Sequence, residues 1–578
     1  MASLGPLALA HRSIANIRTE TSGGAGNGGP ASPHTPSRTI SSTFGSPSSL
    51  RAEEDTIVIE LGARFVKLGF AGEPIPKAVL SLGPEQQRRV GDFRIWDPEH
   101  KDDWRQRPTG KMWGVDHELW QYDLRCVDLG LVEDKLDRAI REALNKFLLI
   151  DSRPRRTSLV LSSSVPLPLL STVLDVLFHR FQAPTVSLMS SAVTSTVGAG
   201  TRSALVVDLG WAETVVTSVY EYREMRTTRT VRGGKMLVEE VHTLLQGALS
   251  RKAAHTQRVR REQEQGQHSI SFEECEEVAC RLVWCRQPDL GSISGIKKQH
   301  QGEPLPTVEE QDETAPASPT SIQQPEADVE LLLQSTNPPE NLTLQFQQLS
   351  EPCEGTFFAS QYSRSTFDDN EMPVHHLIYQ HLVQLPIDAR AACMSRIVFI
   401  GGCAKVVGLK RRIFDELSKL VRDRGWDAVQ GRAPQQYKNN TLLKTQAHRL
   451  AASGPEEVEP PAKEAEQAAV AGENVPRTAA DVIEDSLRKR DNIRPKVQGI
   501  LRPLGSLGPW AGASLACQLK VAAMANIDRD VWLQQGVNGA SRPNEIDVKP
   551  QQRQSMGPGG LMRGAGGPSW TLGAWGAT

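Results

Sequence analysis

Two short runs of apolar, mostly β-branched residues end in the same pattern. They are Ile-Val-Ile-Glu-Leu-Gly at residues 57–62 and Ala-Leu-Val-Val-Asp-Leu-Gly at residues 204–210. An apolar run that ends in an acidic residue and, two residues later, a glycine is typical of a buried strand entering a tight turn that faces a phosphate or its metal. Two such turns, far apart in one chain, predict a duplicated α/β fold that closes on a ligand from both sides.

The remaining pattern predicts alternating strands and helices around these turns. Alternating or continuous apolar runs predict strands, and apolar residues at intervals of three and four predict helices. The predicted strands are 66–71, 78–82, 158–161, 185–188, 215–220 and 394–400, and the predicted helices are 131–149, 170–181, 192–197, 238–248 and 409–420.

Composition divides the chain into ordered and low-complexity parts. Segments dense in Gly, Pro, Ser, Gln or Glu bury too little apolar surface to fold alone. A mitochondrial presequence could resemble residues 1–18, but the Gly/Pro/Ser-rich stretch after them favours a disordered tail. The predicted division is a tail at 1–53, a first lobe at 54–197 with a small polar, Trp-containing subdomain near 84–122, a second lobe at 198–427 with a disordered insertion at 287–341, a disordered insertion at 428–494, a return to the first lobe at 495–540 and a Gly-rich tail at 541–578.

Charge and cysteine content limit the classes of function. The 578 residues carry a formal net charge of −2, which indicates no global bias toward nucleic acid or membrane, and no run is long enough to span a bilayer. Cys275, Cys280 and Cys285 recur every five residues, a spacing that suits neither a zinc ribbon nor a disulfide framework. We therefore expect reduced thiols and no metal site there.

Four motifs, in order along the chain, resemble those of the actin family. Residues 66–73 resemble its first phosphate loop, Asp208-Leu209-Gly210 its second, residues 400–402 its adenosine loop, and residues 510–514 its closing Trp-x-Gly-Gly-Ser element. The resemblance covers roughly 400 residues, far more than chance would give for short patterns. It implies an actin/hexokinase-type α/β fold, with two duplicated lobes around a nucleotide cleft.

Within that family, the segment 385–390, Leu-Pro-Ile-Asp-Ala-Arg, resembles a signature of the actin-related protein at the pointed end of dynactin. The Glu60-Leu61-Gly62 turn, where actin has Asp-Asn-Gly, resembles the same subgroup. Long insertions and a Pro- and Ser-rich N-terminus suit a fungal form of it.

The chain departs from the family where hydrolysis takes place. Counting from Pro184, Ser191 holds the place of the family's water-positioning glutamine, and counting from Asp208, Val215 holds the place of its histidine. Valine cannot relay a proton, and Ser191 is too short to orient the same water. The resemblance therefore predicts no efficient ATP hydrolysis.

Nucleotide binding is also affected by departures in both loops. In the first loop, Glu60 replaces an aspartate, Ala63 a hydroxyl residue and Arg64 a glycine. In the second loop, Trp211 and Ala212 replace Asp and Gly. Near adenine and ribose, Ala279 and Cys280 replace a Lys-Glu pair. Lys67 remains and could pair with a phosphate. We expect either weak binding of ATP or ADP with Mg, without turnover, or an empty cleft. The nucleotide-binding residues that the resemblance implies are Glu60, Gly62, Lys67, Asp208, Gly210, Gly401 and Gly402.

The leading functional hypothesis is structural. The loop that actin inserts into its neighbour should lie within 83–118, where this chain has a polar, Trp-containing segment with no equivalent. A subunit that keeps one interface and lacks the other can cap a filament. The expected partners are the actin-related filament protein and the pointed-end subunits of dynactin, in the cytoplasm and cytoskeleton, in support of dynein-driven transport on microtubules. Asp388 and Arg390 would lie in the interior or on the subunit surface, or form an ordinary ion pair.

Two other classes remain open. A subunit of a nuclear chromatin-remodelling complex would use the basic clusters at 258–261 and 488–490 as import signals. An active ATPase of the actin type would need Glu60 and Asp208 to hold a metal and a further residue to activate water. The cellular location separates the first two classes, and a turnover assay tests the third.

Overall fold

Two mixed β-sheets organise the described part of the chain. The computed structural model describes residues 56–91, 93, 114–121, 123–150, 153–257, 270–287, 328–336, 338–359, 367–426, 499–541 and 569–573. Within these residues, each sheet combines a parallel core with an antiparallel meander.

The six-stranded sheet forms the centre of the first lobe. The strand at residues 57–61 pairs antiparallel with the strand at 65–70, which places Glu60 opposite Lys67. It also pairs parallel with the strand at 157–161. The strands of this sheet are β1 (Ile57–Leu61), β2 (Phe65–Phe70), β3 (Ala78–Ser81), β4 (Thr157–Leu161), β5 (Thr185–Ser190) and β13 (Ala525–Asp528), in the spatial order β13-β5-β4-β1-β2-β3.

The five-stranded sheet of the second lobe repeats this arrangement. Its strands are β6 (Ala204–Leu209), β7 (Thr214–Tyr220), β8 (Arg223–Thr230), β11 (Ile397–Ile400) and β12 (Pro503–Leu504), in the spatial order β12-β11-β6-β7-β8. Strand β6 pairs antiparallel with β7 and parallel with β11, as β1 does with β2 and β4. The duplicated α/β fold predicted from the two apolar runs is confirmed.

Helices pack on both sheets through their apolar faces. The helices are α1 (Leu129–Glu142), α2 (Leu167–Asp175), α3 (Ser191–Gly198), α4 (Gly234–Gln257), α5 (Phe272–Arg281), α6 (Glu351–Cys353), α7 (Val374–Val383), α8 (Ile387–Met394), α9 (Leu409–Arg424), α10 (Pro509–Leu519) and α11 (Arg529–Gln535). Side-chain caps start several of them: Asp128 accepts from the first turn of α1 and Ser190 from that of α3. Leu136 and Phe178 are buried in the first lobe, and Leu245 and Leu417 in the second.

Some boundaries differ from the sequence-based division. The hairpin β9 (Asp328–Leu333) and β10 (Glu340–Gln345) begins inside the segment 287–341 that was predicted to be a disordered insertion. Strand β12 belongs to the segment predicted to return to the first lobe, yet it pairs with β11 of the second lobe. Residue 394 ends a helix rather than starting a strand, so β11 is shorter than predicted.

Part of the predicted Gly-rich tail is ordered. Strand β15 (Trp570–Thr571) pairs with β14 (Ala540–Ser541), and Trp570 packs against Trp532 of α11. Its indole Nε1 donates to the Gly536 carbonyl at 3.0 Å. The Gly-rich composition around Trp570 gives no strand pattern, so the sequence does not predict this contact. A short apolar segment can still pack on a core that other parts of the chain form.

Other predicted segments lie outside the described residues. These are the tail at 1–53, most of the Trp-containing subdomain including Trp96, Trp104 and Trp113, the insertion at 428–494, and the basic clusters at 258–261 and 488–490. In the described part of the chain, none of the helices combines the length and the apolar character that a membrane crossing requires.

Candidate functional site

The two acid-x-glycine turns face the cleft between the lobes. The turn from β1 to β2 is closed by a hydrogen bond from Gly62 N to Phe65 O at 2.9 Å, and the turn from β6 to β7 by one from Gly210 N to Glu213 O at 3.1 Å. In the first turn, Lys67 Nζ lies 2.6 Å from Glu60 Oε1. The cation predicted to meet a phosphate is thus paired with the acid predicted to organise a metal.

The end of β6 carries a carboxyl group in an unfavourable environment. Burial, followed by the nearby charges of Glu60 and Glu213, raises the pKa of Asp208 to about 7, although Lys67 opposes this. Gly401 lies directly against it, with a φ of +89°, and a Cβ there would come 2.5 Å from Asp208 Oδ1. Gly402 borders open space. The structure therefore brings Glu60, Lys67, Asp208 and Gly401 together.

A cavity of about 10 Å³ lies beside Asp208. Ser191 and Val215 both contribute to its wall, as do Asp208 and Glu224. Val215 pairs directly with Asp208 across β6 and β7, and Ser191 is the first residue of α3. A space of this size holds one water molecule at most.

Arg64 crosses the cleft from the first turn. Its side chain is only 5 % exposed, and its Nη2 lies 2.5 Å from Oε1 and 2.7 Å from Oε2 of Glu276 on α5. Its Nη1 donates to the His117 carbonyl at 2.9 Å. The guanidinium carbon also lies 4.9 Å from the ring centroids of both Trp211 and Phe272, so it stacks on aromatic side chains of the second lobe.

A second set of contacts parallels that of Arg64. Glu118, 3 % exposed, accepts a hydrogen bond at 2.7 Å from the indole Nε1 of Trp211, and its Oε1 lies 3.1 Å from Lys235 Nζ of α4. The ring of His117 stacks on Phe272 with centroids 4.0 Å apart. We call Arg64, Glu118, Trp211, Lys235 and Glu276 the interlobe clasp.

Burial sets the protonation of the groups behind the clasp. Burial, with the charges of Arg64 and Lys135, lowers the pKa of His117 to about 4, so its ring is neutral near pH 7. Burial also lowers the pKa of Lys135 to about 8, and its Nζ donates to the Glu118 carbonyl at 2.9 Å. The segment that presents Glu118 to the second lobe is thus held by α1.

The residues present are a poor fit for a magnesium nucleotide. The Arg64 side chain extends from the position where the family has a glycine, into the space between the two turns, and is packed there on Trp211. Lys67, Arg64 and Lys235 are each paired with a carboxylate.

Two of the five clasp residues, Arg64 and Trp211, stand out in the sequence as departures from the family pattern. Glu118, Lys235 and Glu276 carry no such signal. Trp120, which belongs to the predicted Trp-containing subdomain, is buried in the first lobe. Cys275, Cys280 and Cys285 of the α5 region are free thiols, and so are Cys353, Cys393, Cys403 and Cys517.

The sequence matches a known protein family over the region that contains both turns and the clasp. A family model described as Actin matches residues 51–440, which is more than half of the chain. The matched region contains both turns, the helices that carry the clasp, and the glycines that follow β11.

Proposed function

Because the chain belongs to the actin family, we propose that it is a structural, non-hydrolysing actin-related subunit of a protein complex. The position of Arg64 supports the non-hydrolysing role, because its guanidinium extends from the first turn onto the Trp211 ring of the second turn and is paired with Glu276. Ser191 and Val215 line the cavity beside Asp208, and counting along the sequence assigns them to the family's water-positioning glutamine and histidine. Neither side chain suits that role.

The proposed complex is dynactin, with this chain as the pointed-end cap of the actin-related filament. The resemblance of residues 385–390 supports this, and so does the placement of that segment. Ile387, 72 % exposed, and Asp388, also exposed, begin α8 at the surface, whereas Arg390 packs on the Trp426 ring at 5.4 Å. The exposed start of α8 leaves this segment accessible to a neighbouring subunit. The partners would be the filament protein and the pointed-end subunits, in the cytoplasm.

The alternative is an actin-related subunit of a nuclear chromatin-remodelling complex. The two basic clusters favour it, as import signals. Affinity purification of the tagged full-length protein, followed by mass spectrometry, separates the two. Recovery of the dynactin filament protein with its pointed-end subunits supports the cap. Recovery of a remodelling ATPase with its other subunits overturns it.

A matched pair of surface variants sharpens this experiment. Ile387→Asp changes the proposed contact, and Leu507→Asp changes a residue of similar exposure, 74 %, outside that segment. We expect Ile387→Asp to lose the co-purifying partners and Leu507→Asp to retain them. Retention of the same partners by both variants would remove the α8 surface from the proposal.

A further inference from the structure

We propose that the interlobe clasp takes the place of a bound nucleotide as the tie between the two lobes, so that this chain closes its cleft without a ligand. The inference deepens the non-hydrolysing part of the proposed function and is independent of which complex the protein joins.

The contacts of the clasp come from both sides of the cleft. Arg64 and Glu118 belong to the first lobe, while Trp211, Lys235 and Glu276 belong to the second. Two ion pairs, one indole hydrogen bond and a cation–π contact join them directly. A nucleotide between two loops makes the same kind of connection, since it too contacts both lobes at once.

The charges at the cleft disfavour an added anion. Each cation of the site is already bonded to a carboxylate: Lys67 to Glu60, Arg64 to Glu276 and Lys235 to Glu118. Asp208 adds a carboxyl whose pKa is already raised by burial and by the charges of its acidic neighbours. A phosphate chain would have to break an existing pair, leaving a carboxylate unpaired in a largely buried site, which is costly.

Arg64 is the residue on which the clasp depends most. It makes the ion pair with Glu276, donates to the carbonyl of His117, which precedes Glu118, and packs against both Trp211 and Phe272. A lysine would keep the charge but lose the planar stacking and the second set of donors. Loss of Arg64 should therefore loosen both lobes at the cleft, not only its own turn.

The first arm of the test uses the wild-type protein alone. Purified full-length protein is freed of nucleotide and heated with and without millimolar Mg·ATP, and a fluorescent ATP analogue is titrated in parallel. Ligands that bind only the folded state raise the midpoint of unfolding. We expect no rise and no saturable fluorescence change. A saturable change at micromolar analogue, with a raised midpoint, would overturn the proposal.

The second arm compares variants by thermal unfolding and hydrogen exchange. Arg64→Ala should lower the midpoint by about 3–6 °C and speed amide exchange in α5 and in the turn after β6, and Arg64→Lys should do so to a lesser degree. Arg138→Ala is the matched control, because Arg138 is a half-buried arginine that donates to the Gln86 and Arg88 carbonyls within the first lobe.

The outcomes of the second arm are distinct. Faster exchange in α5 for the Arg64 variants, with α5 unchanged in Arg138→Ala, supports the clasp. If Arg64→Ala does not fold, amide exchange in α5 is compared between Arg64→Lys and wild type instead. Unchanged exchange in α5 for a folded Arg64 variant would overturn the proposal. Recovery of a remodelling complex in the purification would overturn the dynactin assignment alone.

Discussion

Arg64 Nη2 lies 2.5 Å from Oε1 and 2.7 Å from Oε2 of Glu276, a residue 212 positions later in the chain. The pair joins the turn after β1 to the middle of α5 and thereby links the two lobes across their cleft. In a fold whose relatives typically use a nucleotide there, the chain's own side chains make the connection.

Asp208 should make stability depend on pH. Its pKa in the folded protein is raised to about 7 by burial and by Glu60 and Glu213, against the opposing charge of Lys67. A carboxyl group with a raised folded-state pKa costs nothing below its unfolded value, near pH 4, and destabilises increasingly as the pH rises to about 7. Asp208→Asn should therefore gain about 2–4 kcal/mol of stability relative to wild type at pH 8, and little at pH 4.

Urea unfolding of both proteins at pH 4, 6 and 8 measures this difference. The same substitution at the exposed Asp369 is the control for an aspartate outside the cleft. A difference between Asp208→Asn and wild type that is constant with pH, or that shrinks as the pH rises, would show that the charge of Asp208 does not carry this cost.

Restoring the family's side chains at the cavity should not restore turnover. Ser191→Gln with Val215→His places two larger side chains against a cavity of about 10 Å³. We expect overpacking to cost about 1–3 kcal/mol, and we expect no phosphate release, because Arg64 still extends from the first turn onto Trp211 and Glu276. Thermal unfolding and a phosphate-release assay with Mg·ATP measure both effects, and Val215→Thr is the near-isosteric control. Metal-dependent release by the double variant would mean that Arg64 does not block the cleft.

Trp570 should contribute to the stability of the first lobe. Its side chain is 4 % exposed, donates to the Gly536 carbonyl and packs against Trp532. Trp570→Ala should destabilise the protein by about 3–5 kcal/mol, as measured by urea unfolding. Leu533→Ala, at a half-exposed position on α11 beside Trp532, should have a smaller effect. Equal effects of the two substitutions would mean that the Trp570 contact is not formed in solution.

The sequence could predict the two lobes because the relevant pattern is local. An apolar run, an acid and a glycine two residues later are consecutive, and each was followed by a strand of the predicted meander. The register of Glu60 opposite Lys67 also follows from a short turn between adjacent strands.

The clasp and the sheet edges depend on distant parts of the chain. Amphipathic spacing predicts helices, but whether Glu276 faces solvent or the other lobe depends on how two independently folded sheets are placed. Glu118 lies in a short polar segment with no periodicity. Strand β12, two residues long, and the docked Trp570 are too short to produce a pattern, so only tertiary contacts reveal them.

We expect that this actin-family chain does not turn over nucleotide. The most direct measurement is phosphate release from Mg·ATP by the purified full-length protein, with Asp208→Ala and a metal-free reaction alongside. A non-hydrolysing chain releases no more phosphate than either control. Metal-dependent release by the wild type, lost in Asp208→Ala, would show that the chain is an active ATPase.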